Sequence, residues 1–278
     1  MIQLNNTANA QQVYSPAGNL NIQQISEVIC GVFSNGMLSA AFGYNKELLS
    51  IRYNGADKEL GPWPLAFYQQ QLAGDPFLAK RELVSNIFIG TDKYMLVPEQ
   101  LYDEKSAVDW LKSIHFIEAT DAINVQYFSE EKANYLYAWP AEIKTLLQDN
   151  FKNAKVMPFA AYQFRKPLKA GYTLICCITD SEVYGTMYNN KTLKWHQVFP
   201  YTTAEDISYH IKSLCKHYKV ASYQLVFQCS VLAAALNPLL YDLAEYFNNV
   251  IDKSAKDPVK GEWSNAVQLV QLMQSCVL

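Results

Sequence analysis

One acidic residue of the chain stands where a carboxylate could help to hold a phosphate group. Asp180 follows an apolar run at residues 172–179 and lies in a tight turn before residues 182–188. A carboxylate at the end of a strand can bind Mg²⁺ and so position phosphate oxygens. Asp is also a common turn residue, because its side chain hydrogen-bonds the local backbone. Since no glycine-rich loop or lysine accompanies Asp180, the turn interpretation is favoured over a remnant cofactor-binding site.

Glycines are missing from long stretches of the chain. None of the 11 glycines lies between Gly90 and Gly171, or between Gly185 and Gly261. Phosphate loops need glycine so that backbone N–H groups can approach the anion closely. The sequence therefore predicts no bound cofactor and no catalytic residue.

The histidines do not predict a metal site. Asp206, His210 and His217 share one face of a predicted helix, but metal sites prefer histidines four residues apart with a third ligand close by. A solvated helix face with a weak Asp–His pair is the favoured interpretation. His115 and His196 have no partner that the sequence identifies, so no Ser–His–acid triad is predicted either.

Aromatic residues alternate in a predicted hairpin at residues 122–139. The four in question are Tyr127, Tyr135, Tyr137 and Trp139, which we expect to line one face. Tyr and Trp are enriched at protein-binding surfaces, so these side chains are candidates for a contact with a partner protein. The alternative is that this face packs on the following helix, which is the usual fate of one face of a sheet.

A basic segment at residues 152–169 joins the two halves of the chain. It contains no acidic residue and interleaves aromatic residues with Lys152, Lys155, Arg165, Lys166 and Lys169. This combination could suit RNA or an acidic protein. The whole chain carries a net charge of −3, which favours a connection with solvated lysines and buried aromatic rings; nucleic acid is therefore not an expected partner.

The composition is that of a globular protein. The 278 residues are 50% hydrophobic and 18% charged, and no apolar run approaches the roughly 20 residues that span a bilayer. The first basic residue is Lys46, so no secretory signal is predicted. The six cysteines form no C-x-x-C pair and are expected to be small buried hydrophobic residues in a reducing compartment. These features predict a cytoplasmic protein.

The first half of the chain predicts a meander followed by mixed elements. Strands are expected at residues 27–34, 37–44 and 47–53, joined by tight turns of which the first contains Asn35–Gly36, a strong hairpin signal. Further strands are predicted at residues 86–90, 93–97, 122–129, 133–139 and 156–159. Helices are predicted at residues 65–72, 77–84, 103–114 and 140–151.

The same order recurs in the second half. Strands are predicted at residues 172–179, 182–188 and 193–199, and a helix follows with Thr203 and Asp206 in a capping box. Another strand, helix and short strand occupy residues 223–252, before a terminal helix. The chain is therefore predicted to be α/β, with a polar arm (1–24), a first lobe (25–160) and a second lobe with a C-terminal helix (161–278), each lobe a mixed sheet flanked by helices.

Two stretches carry a resemblance to a known family. Residues 93–104 (KYMLVPEQLYDE) and 175–190 (ICCITDSEVYGTMYNN) resemble an uncharacterised bacterial family, a domain of unknown function with an actin-like ATPase fold. That family is distantly similar to the actin-like proteins of pilus assembly and cell division. The resemblance covers residues 25–252 and implies a duplicated, ribonuclease H-like fold of two lobes, between which active members bind ATP.

The sequence differs from the active ATPases of the wider actin-like superfamily, to which this resemblance points. They carry a strand-end Asp with nearby Gly and Thr in each lobe, and paired glycines against the adenosine. Here residues 30–36 contain no acidic residue, Gly185–Thr186 falls inside a predicted strand, and residues 228–231 contain no glycine. The leading hypothesis is a pseudo-ATPase that acts by binding a protein partner.

Two other hypotheses remain open. The chain could be a divergent ATPase or small-molecule kinase that holds Mg-ATP between its lobes with the help of Asp180. It could also be an RNA-associated factor that uses residues 152–169.

Overall fold

The chain forms two units, one within Met1–Phe159 and the other within Ala160–Cys276. The computed structural model describes residues 12–15, 21–164, 170–247, 250–251 and 263–276. Most of the predicted polar arm lies outside the described residues. The part that is described includes a short strand, Gln12–Tyr14, which pairs with the main sheet of the first unit.

The first unit contains nine strands and three α-helices among its described residues. The strands are β1 (Gln12–Tyr14), β2 (Ile25–Phe33), β3 (Gly36–Gly43), β4 (Leu48–Gly55), β5 (Val84–Gly90), β6 (Tyr94–Pro98), β7 (Asp121–Phe128), β8 (Ala133–Pro140) and β9 (Lys155–Pro158). The helices are α1 (Leu65–Gly74), α2 (Ala107–Ile114) and α3 (Ala141–Asn150).

The main sheet of this unit has the order β1-β4-β3-β2-β5-β9. Strands β2, β3 and β4 form an antiparallel meander, because their connections are too short for a parallel crossover. Strands β5 and β9 then add in parallel beyond β2, each after a helix-containing connection. The predicted meander is thus confirmed, with the first turn at Ser34–Asn35, one residue earlier than expected.

A second, three-stranded sheet lies between β5 and α3 in the sequence. Its order is β6-β8-β7, with β8 in the centre and both pairings antiparallel. Helix α2 packs on β6 and β8 through a small core of Val97, Ala107, Leu111 and Leu136. We call residues 91–140 the insertion, because they interrupt the path from one strand of the main sheet to the next.

One predicted helix of the first unit is wrong. Residues 77–84 form a turn and a short 3-10 helix, Arg81–Leu83, before β5 begins. The buried carboxylate of Asp75 accepts hydrogen bonds from the Phe77 backbone N–H (2.8 Å) and the Ser39 hydroxyl (2.5 Å). These bonds hold the chain in a turn that buries the Phe77 side chain, so a tertiary contact overrides the local helical pattern.

The second unit has five strands and three α-helices among its described residues. They are β10 (Tyr172–Ile178), β11 (Glu182–Asn189), β12 (Thr192–Pro200), α4 (Ala204–His217), β13 (Leu225–Val231), α5 (Asn237–Tyr246), β14 (Val250–Ile251) and α6 (Ser264–Ser275). Helix α4 begins with the predicted capping box, in which Thr203 and Asp206 satisfy each other's backbone N–H groups.

The sheet of the second unit repeats the plan of the first. Its order is β12-β11-β10-β13-β14, with an antiparallel meander followed by two parallel strands. The corresponding strands of the first unit are β4-β3-β2-β5-β9. Each main sheet therefore combines antiparallel and parallel pairing in the same sequence of steps. In the second unit, helices α4 and α5 pack on the sheet and complete an apolar core.

Candidate functional site

The turn between β2 and β3 is fixed by hydrogen bonds from the chain that follows it. The Ser34 carbonyl oxygen accepts from the Trp63 backbone N–H (2.7 Å) and from the Tyr68 hydroxyl (3.1 Å). The Ala56 N–H donates to the Asn35 carbonyl (2.8 Å). The turn thus presents carbonyl oxygens to its own chain, whereas a phosphate loop must present converging N–H donors to an anion.

Side chains fill the space beside the glycines of this hairpin. A β-carbon placed on Gly36 would lie 2.5 Å from the Tyr53 hydroxyl oxygen, and one on Gly31 would lie 2.9 Å from the Phe33 ring. Both rings are buried. A side chain at Gly31 or Gly36 would therefore have to displace an aromatic ring that lies against the backbone of the sheet.

The connection between β10 and β11 is stabilised by hydrogen bonds among its own residues. The Thr179 hydroxyl accepts from the backbone N–H groups of Glu182 (3.0 Å) and Ser181 (3.5 Å), and it donates to the Glu182 carbonyl (3.0 Å). The Tyr201 hydroxyl donates to the Thr179 carbonyl (2.5 Å), and the Tyr201 N–H donates to the Ser181 carbonyl (3.3 Å). The N–H groups of Ser181 and Glu182 are therefore used inside the connection and do not point toward an anion.

The glycine of the second hairpin is also packed. A β-carbon on Gly185 would lie 3.0 Å from the Trp195 ring and 3.6 Å from the Cys176 sulfur. Gly185–Thr186 lies inside β11, as the sequence predicted, and not in a loop. The Thr186 hydroxyl is buried and bonded to other side chains. Neither residue is placed to contact a phosphate group.

Asp180 lies in the connection between β10 and β11, as predicted, and is partly buried. Burial, with a further contribution from the Asp180 carboxylate, raises the pKa of the nearby Tyr201 hydroxyl. Tyr201 therefore stays protonated and keeps its hydrogen bond to the Thr179 carbonyl. Within the described residues, no three His, Cys, Asp or Glu side chains are grouped so that they could hold a metal ion.

The residues of the predicted Asp–His face have structural contacts. The Asp206 carboxylate accepts from the N–H groups of Thr202 (2.9 Å) and Thr203 (3.0 Å), which lowers the pKa of this carboxyl group. The His210 ring stacks on Phe199 at 4.7 Å between centroids. The side chain of Asp206 thus serves the start of α4, where a negative charge is favourable.

A buried polar network in the second unit was not predicted from the sequence. The fully buried Gln163 amide donates to the carbonyl oxygens of Tyr184 (2.8 Å) and Ile175 (3.3 Å), and its oxygen accepts from the Thr186 hydroxyl (3.1 Å). The same hydroxyl lies 2.8 Å from His196 Nδ1. Because the Thr186 proton goes to Gln163, the His196 ring must donate from Nδ1. No local sequence pattern marks Gln163 as the centre of such a network.

The predicted aromatic binding face is wrong for three of its four residues. Tyr135, Tyr137 and Trp139 are only 2%, 2% and 1% exposed, and β8 is the central strand of its sheet, not an edge. The Trp139 ring packs toward Trp63 at 6.4 Å. These three rings are core and are not available to a partner.

Tyr127 lies on the other face of the sheet. In the register of β7 and β8, Tyr127 is opposite Asn134, while Tyr135 is opposite Gln126. Directly opposed residues of an antiparallel pair project to the same face, so Tyr127 and Tyr135 project to different faces. Tyr127 is 43% exposed and is the one residue of the predicted set that remains at the surface.

Four of the aromatic residues in and next to the basic segment are also interior, while Tyr172 is partly buried. Phe151, Phe159, Tyr162 and Phe164 are all buried, so their rings cannot stack on bases. Arg165, Lys166 and Lys169 lie outside the described residues. The interpretation of this segment as a connection with buried aromatic residues is therefore favoured for the part that is described.

The cysteines behave as small apolar residues. All six are free thiols, and five of them are buried, with only Cys276 partly exposed. Burial raises the pKa of the Cys177 thiol to about 12, and it raises the pKa values of Cys30 and Cys176 as well. These thiols are protonated at neutral pH and are poor nucleophiles.

Known structures share this architecture. The chain is similar to a protein of Bacteroides thetaiotaomicron with an actin-like ATPase fold and unknown function, with a TM-score of 0.70 and 13% identity over 89% of this chain and 99% of that one. It is also similar to a chain of the PilM–PilN type IV pilus biogenesis complex, with a TM-score of 0.55 and 10% identity over 91% and 99% of the two chains. The fold is therefore the actin-like ATPase fold, as the family resemblance implied.

A family match goes one step further. Residues 64–250 match the family described as "Protein of unknown function (DUF3822)", and this match covers more than half of the chain. The chain belongs to that family. No curated protein sequence matches it.

Among the described residues, no helix is both long enough and apolar enough to cross a membrane.

Proposed function

We propose that this protein is a non-catalytic member of the actin-like fold that acts by binding another protein. The observation that carries the proposal is the packing of aromatic rings beside the hairpin glycines. Tyr53 lies against Gly36 and Trp195 lies against Gly185. The space left by the missing glycine side chains is therefore filled by aromatic rings of the protein itself. In a nucleotide site the same space would admit the anion.

The backbone of the second hairpin supports the same conclusion. The N–H groups of Ser181 and Glu182 are engaged by the Thr179 side chain. Binding of a phosphate group here would require the loss of these bonds and of the bond from Tyr201 to Thr179. Each buried bond lost would cost about 1 kcal/mol net, which opposes nucleotide binding.

The common plan of the two main sheets supports a duplicated architecture. Each has a meander followed by two parallel strands in the same order, and we infer that the two units are duplicated ribonuclease H-like lobes. PilM, which shares this fold, occurs in a complex with PilN, and this makes a protein partner a reasonable expectation here. The cytoplasmic location expected from the sequence stays a prediction.

The competing function is that of a divergent ATPase or small-molecule kinase with Asp180 as the metal-side carboxylate. Calorimetry with Mg-ATP and Mg-ADP at micromolar concentrations separates the two proposals. We expect no saturable heat from either nucleotide. Saturable binding that is lost in Asp180→Asn would overturn the non-catalytic proposal.

A pull-down tests the binding role directly. The tagged full chain should capture a stoichiometric protein from native lysate, and in equal amounts whether the lysate is depleted of nucleotide by apyrase or supplemented with Mg-ATP. Capture that requires ATP would contradict a nucleotide-independent role. Capture of nucleic acid that falls steeply with salt would favour the RNA-associated alternative.

A further inference from the structure

Strand β7 is an open edge of the insertion. Among the described residues it pairs with β8 alone. It is eight residues long and its pairing with β8 shows no register shift. Its sequence, DAINVQYF, has no lysine, proline or bulge, and its one charged residue, Asp121, lies at the first position and pairs with Lys93. The rest of the strand lacks the charges, prolines and bulges that often protect an edge strand from pairing.

The hydrogen-bond pattern shows which backbone groups point outward. The Ala141 N–H donates to the Thr120 carbonyl, so residue 120 bonds toward β8. Along an antiparallel strand, the backbone N–H and C=O groups of successive residues point alternately toward the paired strand and away from it. Residues 122, 124 and 126 therefore bond toward β8. The N–H and C=O groups of Ile123, Val125 and Tyr127 point away from β8. Consistent with this, the Tyr127 carbonyl accepts from the Gln126 side chain (3.1 Å) and not from β8.

The side chains beside these outward groups form a small apolar strip. Val125 is opposite Leu136 in the register and so projects to the face on which α2 packs. Helix α2 covers β6 and β8 on that face, and Ile123 packs against the same core. Val125 and Tyr127 lie beyond it and are 42% and 43% exposed.

The charge of the insertion sets the chemistry of a partner. Residues 91–140 contain nine carboxylates and four lysines, a net charge of −5, whereas the whole chain carries −3. The remainder of the chain therefore carries +2. Near the strip, the Tyr127 hydroxyl donates a hydrogen bond to the Glu99 carboxylate, and Glu130 and Glu131 lie in the turn that follows β7.

We propose that the edge of β7 binds an extended, basic amphipathic peptide segment of a partner protein as a fourth strand. Its backbone pairs with the outward groups of Ile123, Val125 and Tyr127. Its apolar side chains lie on Val125 and Tyr127, and its lysines or arginines lie near the carboxylates of the insertion. This inference rests on the proposed binding function and names the chemistry of the partner.

The same charge argues against other occupants. A second copy of this chain would bring another insertion of net charge −5 against the first, and like charges oppose that contact. Nucleic acid and anionic lipid surfaces would be repelled in the same way. A basic amphipathic peptide can bury apolar side chains on the strip and is also attracted by the negative charge of the insertion.

Synthetic peptides test the proposal with the full chain. The probe is a fluorescein-labelled peptide as long as β7, eight residues, in which lysine alternates with valine and isoleucine. The control peptide carries glutamate in place of each lysine. Fluorescence anisotropy should show saturable micromolar binding of the lysine peptide, weakened by added salt, and none of the glutamate peptide. Equal binding of both peptides, or binding of neither, would overturn the proposal.

One substitution blocks the edge while leaving the sheet intact. Val125→Pro removes an outward N–H without removing a bond to β8, since proline is tolerated where a strand's N–H faces solvent. It should weaken binding of the lysine peptide about tenfold or more, while the control Val125→Thr, which keeps the N–H, should change it little. Unchanged binding by Val125→Pro would refute pairing at this edge.

A second variant covers the case in which Val125→Pro does not fold. Val125→Lys keeps the backbone donor, adds a positive charge to the strip, and should also abolish binding of the lysine peptide. Lysate pull-downs with the wild type and Val125→Lys then separate the two proposals. If both capture the partner equally, the β7 site is wrong but a binding function stands; if the wild type captures none, the binding function itself fails.

Discussion

The Tyr53 hydroxyl oxygen lies 2.5 Å from the point at which a β-carbon on Gly36 would stand. Tyr53 and Gly36 belong to neighbouring strands of the first meander, and Tyr53 is buried. The glycine is thus explained by the packing of an aromatic ring. A glycine at the head of a hairpin in an actin-like fold is therefore not sufficient evidence of a phosphate site.

Replacing this glycine should destabilise the protein. In Gly36→Ala the new β-carbon would overlap the Tyr53 hydroxyl, and the buried ring has little room to move. Overpacking of this kind costs typically about 1–3 kcal/mol. Chemical denaturation should show a loss of that size.

Two controls identify the cause. Gly74→Ala alters a glycine with no atom near its would-be β-carbon, at the end of α1, and should be neutral or stabilising by about 0.4–1 kcal/mol. Adding Tyr53→Phe to Gly36→Ala removes the overlapping oxygen and should restore part of the loss. Additive effects of Gly36→Ala and Tyr53→Phe would show that the overlap is not the cause.

Much of the fold was predictable because it depends on local signals. The tight turns force the two meanders, and the capping box of Thr203 and Asp206 fixes the start of α4. The wrong predictions arise where residues distant in the sequence determine the local conformation. Asp75 and Ser39 hold residues 77–84 out of a helix, a contact 36 residues apart in the sequence.

The candidate site was harder to predict for the same reason. Alternation within a strand shows which residues of that strand share a face. Whether Tyr127 of β7 and Tyr135 of β8 share a face depends on the register between the two strands. The sequence also showed too few glycines for a phosphate site, yet it could not show that Trp195 lies against Gly185. The Gln163 network has no local signature at all.

The aromatic residues of β8 should be essential for folding. Truncating Tyr135, Tyr137 and Trp139 to Ser removes three buried rings, and aromatic truncations in a core cost about 3–5 kcal/mol each. The triple variant should therefore be unfolded or melt at a far lower temperature. Tyr127→Ser is the matched control, because this tyrosine is exposed on the other face, and its melting temperature should be close to that of the wild type. A stable triple variant would mean that these rings are not core.

Gln163 should be the most sensitive member of the buried network. Gln163→Leu keeps the approximate volume but removes the donor to two strand carbonyls and the acceptor of the Thr186 hydroxyl. Leaving buried polar groups unpaired costs about 1–3 kcal/mol per group. Gln126→Leu, at the open edge of β7, should stay within about 0.5 kcal/mol of the wild type. Equal effects of the two substitutions, measured by urea unfolding, would contradict a central role for Gln163.

His196 should make the stability of the protein sensitive to acid. Burial lowers the pKa of His196 to about 3, whereas a histidine in the unfolded chain titrates near 6.5. Between these two pH values the unfolded chain binds a proton that the folded chain does not bind. The free energy of unfolding must therefore fall as the pH drops through this window, by several kcal/mol if it is crossed completely.

His196→Asn tests this linkage. The Asn amide can replace the donor to the Thr186 hydroxyl but has no proton to gain in this range. Its urea unfolding free energy, measured between pH 7.5 and pH 4, should decline less steeply than that of the wild type, and the two curves should converge or cross as the pH falls. If the two proteins lose stability in parallel, His196 is not a source of the acid sensitivity. An NMR titration of the wild type adds an independent readout, because the ring resonances of His196 should not shift above pH 4.5 while the protein remains folded.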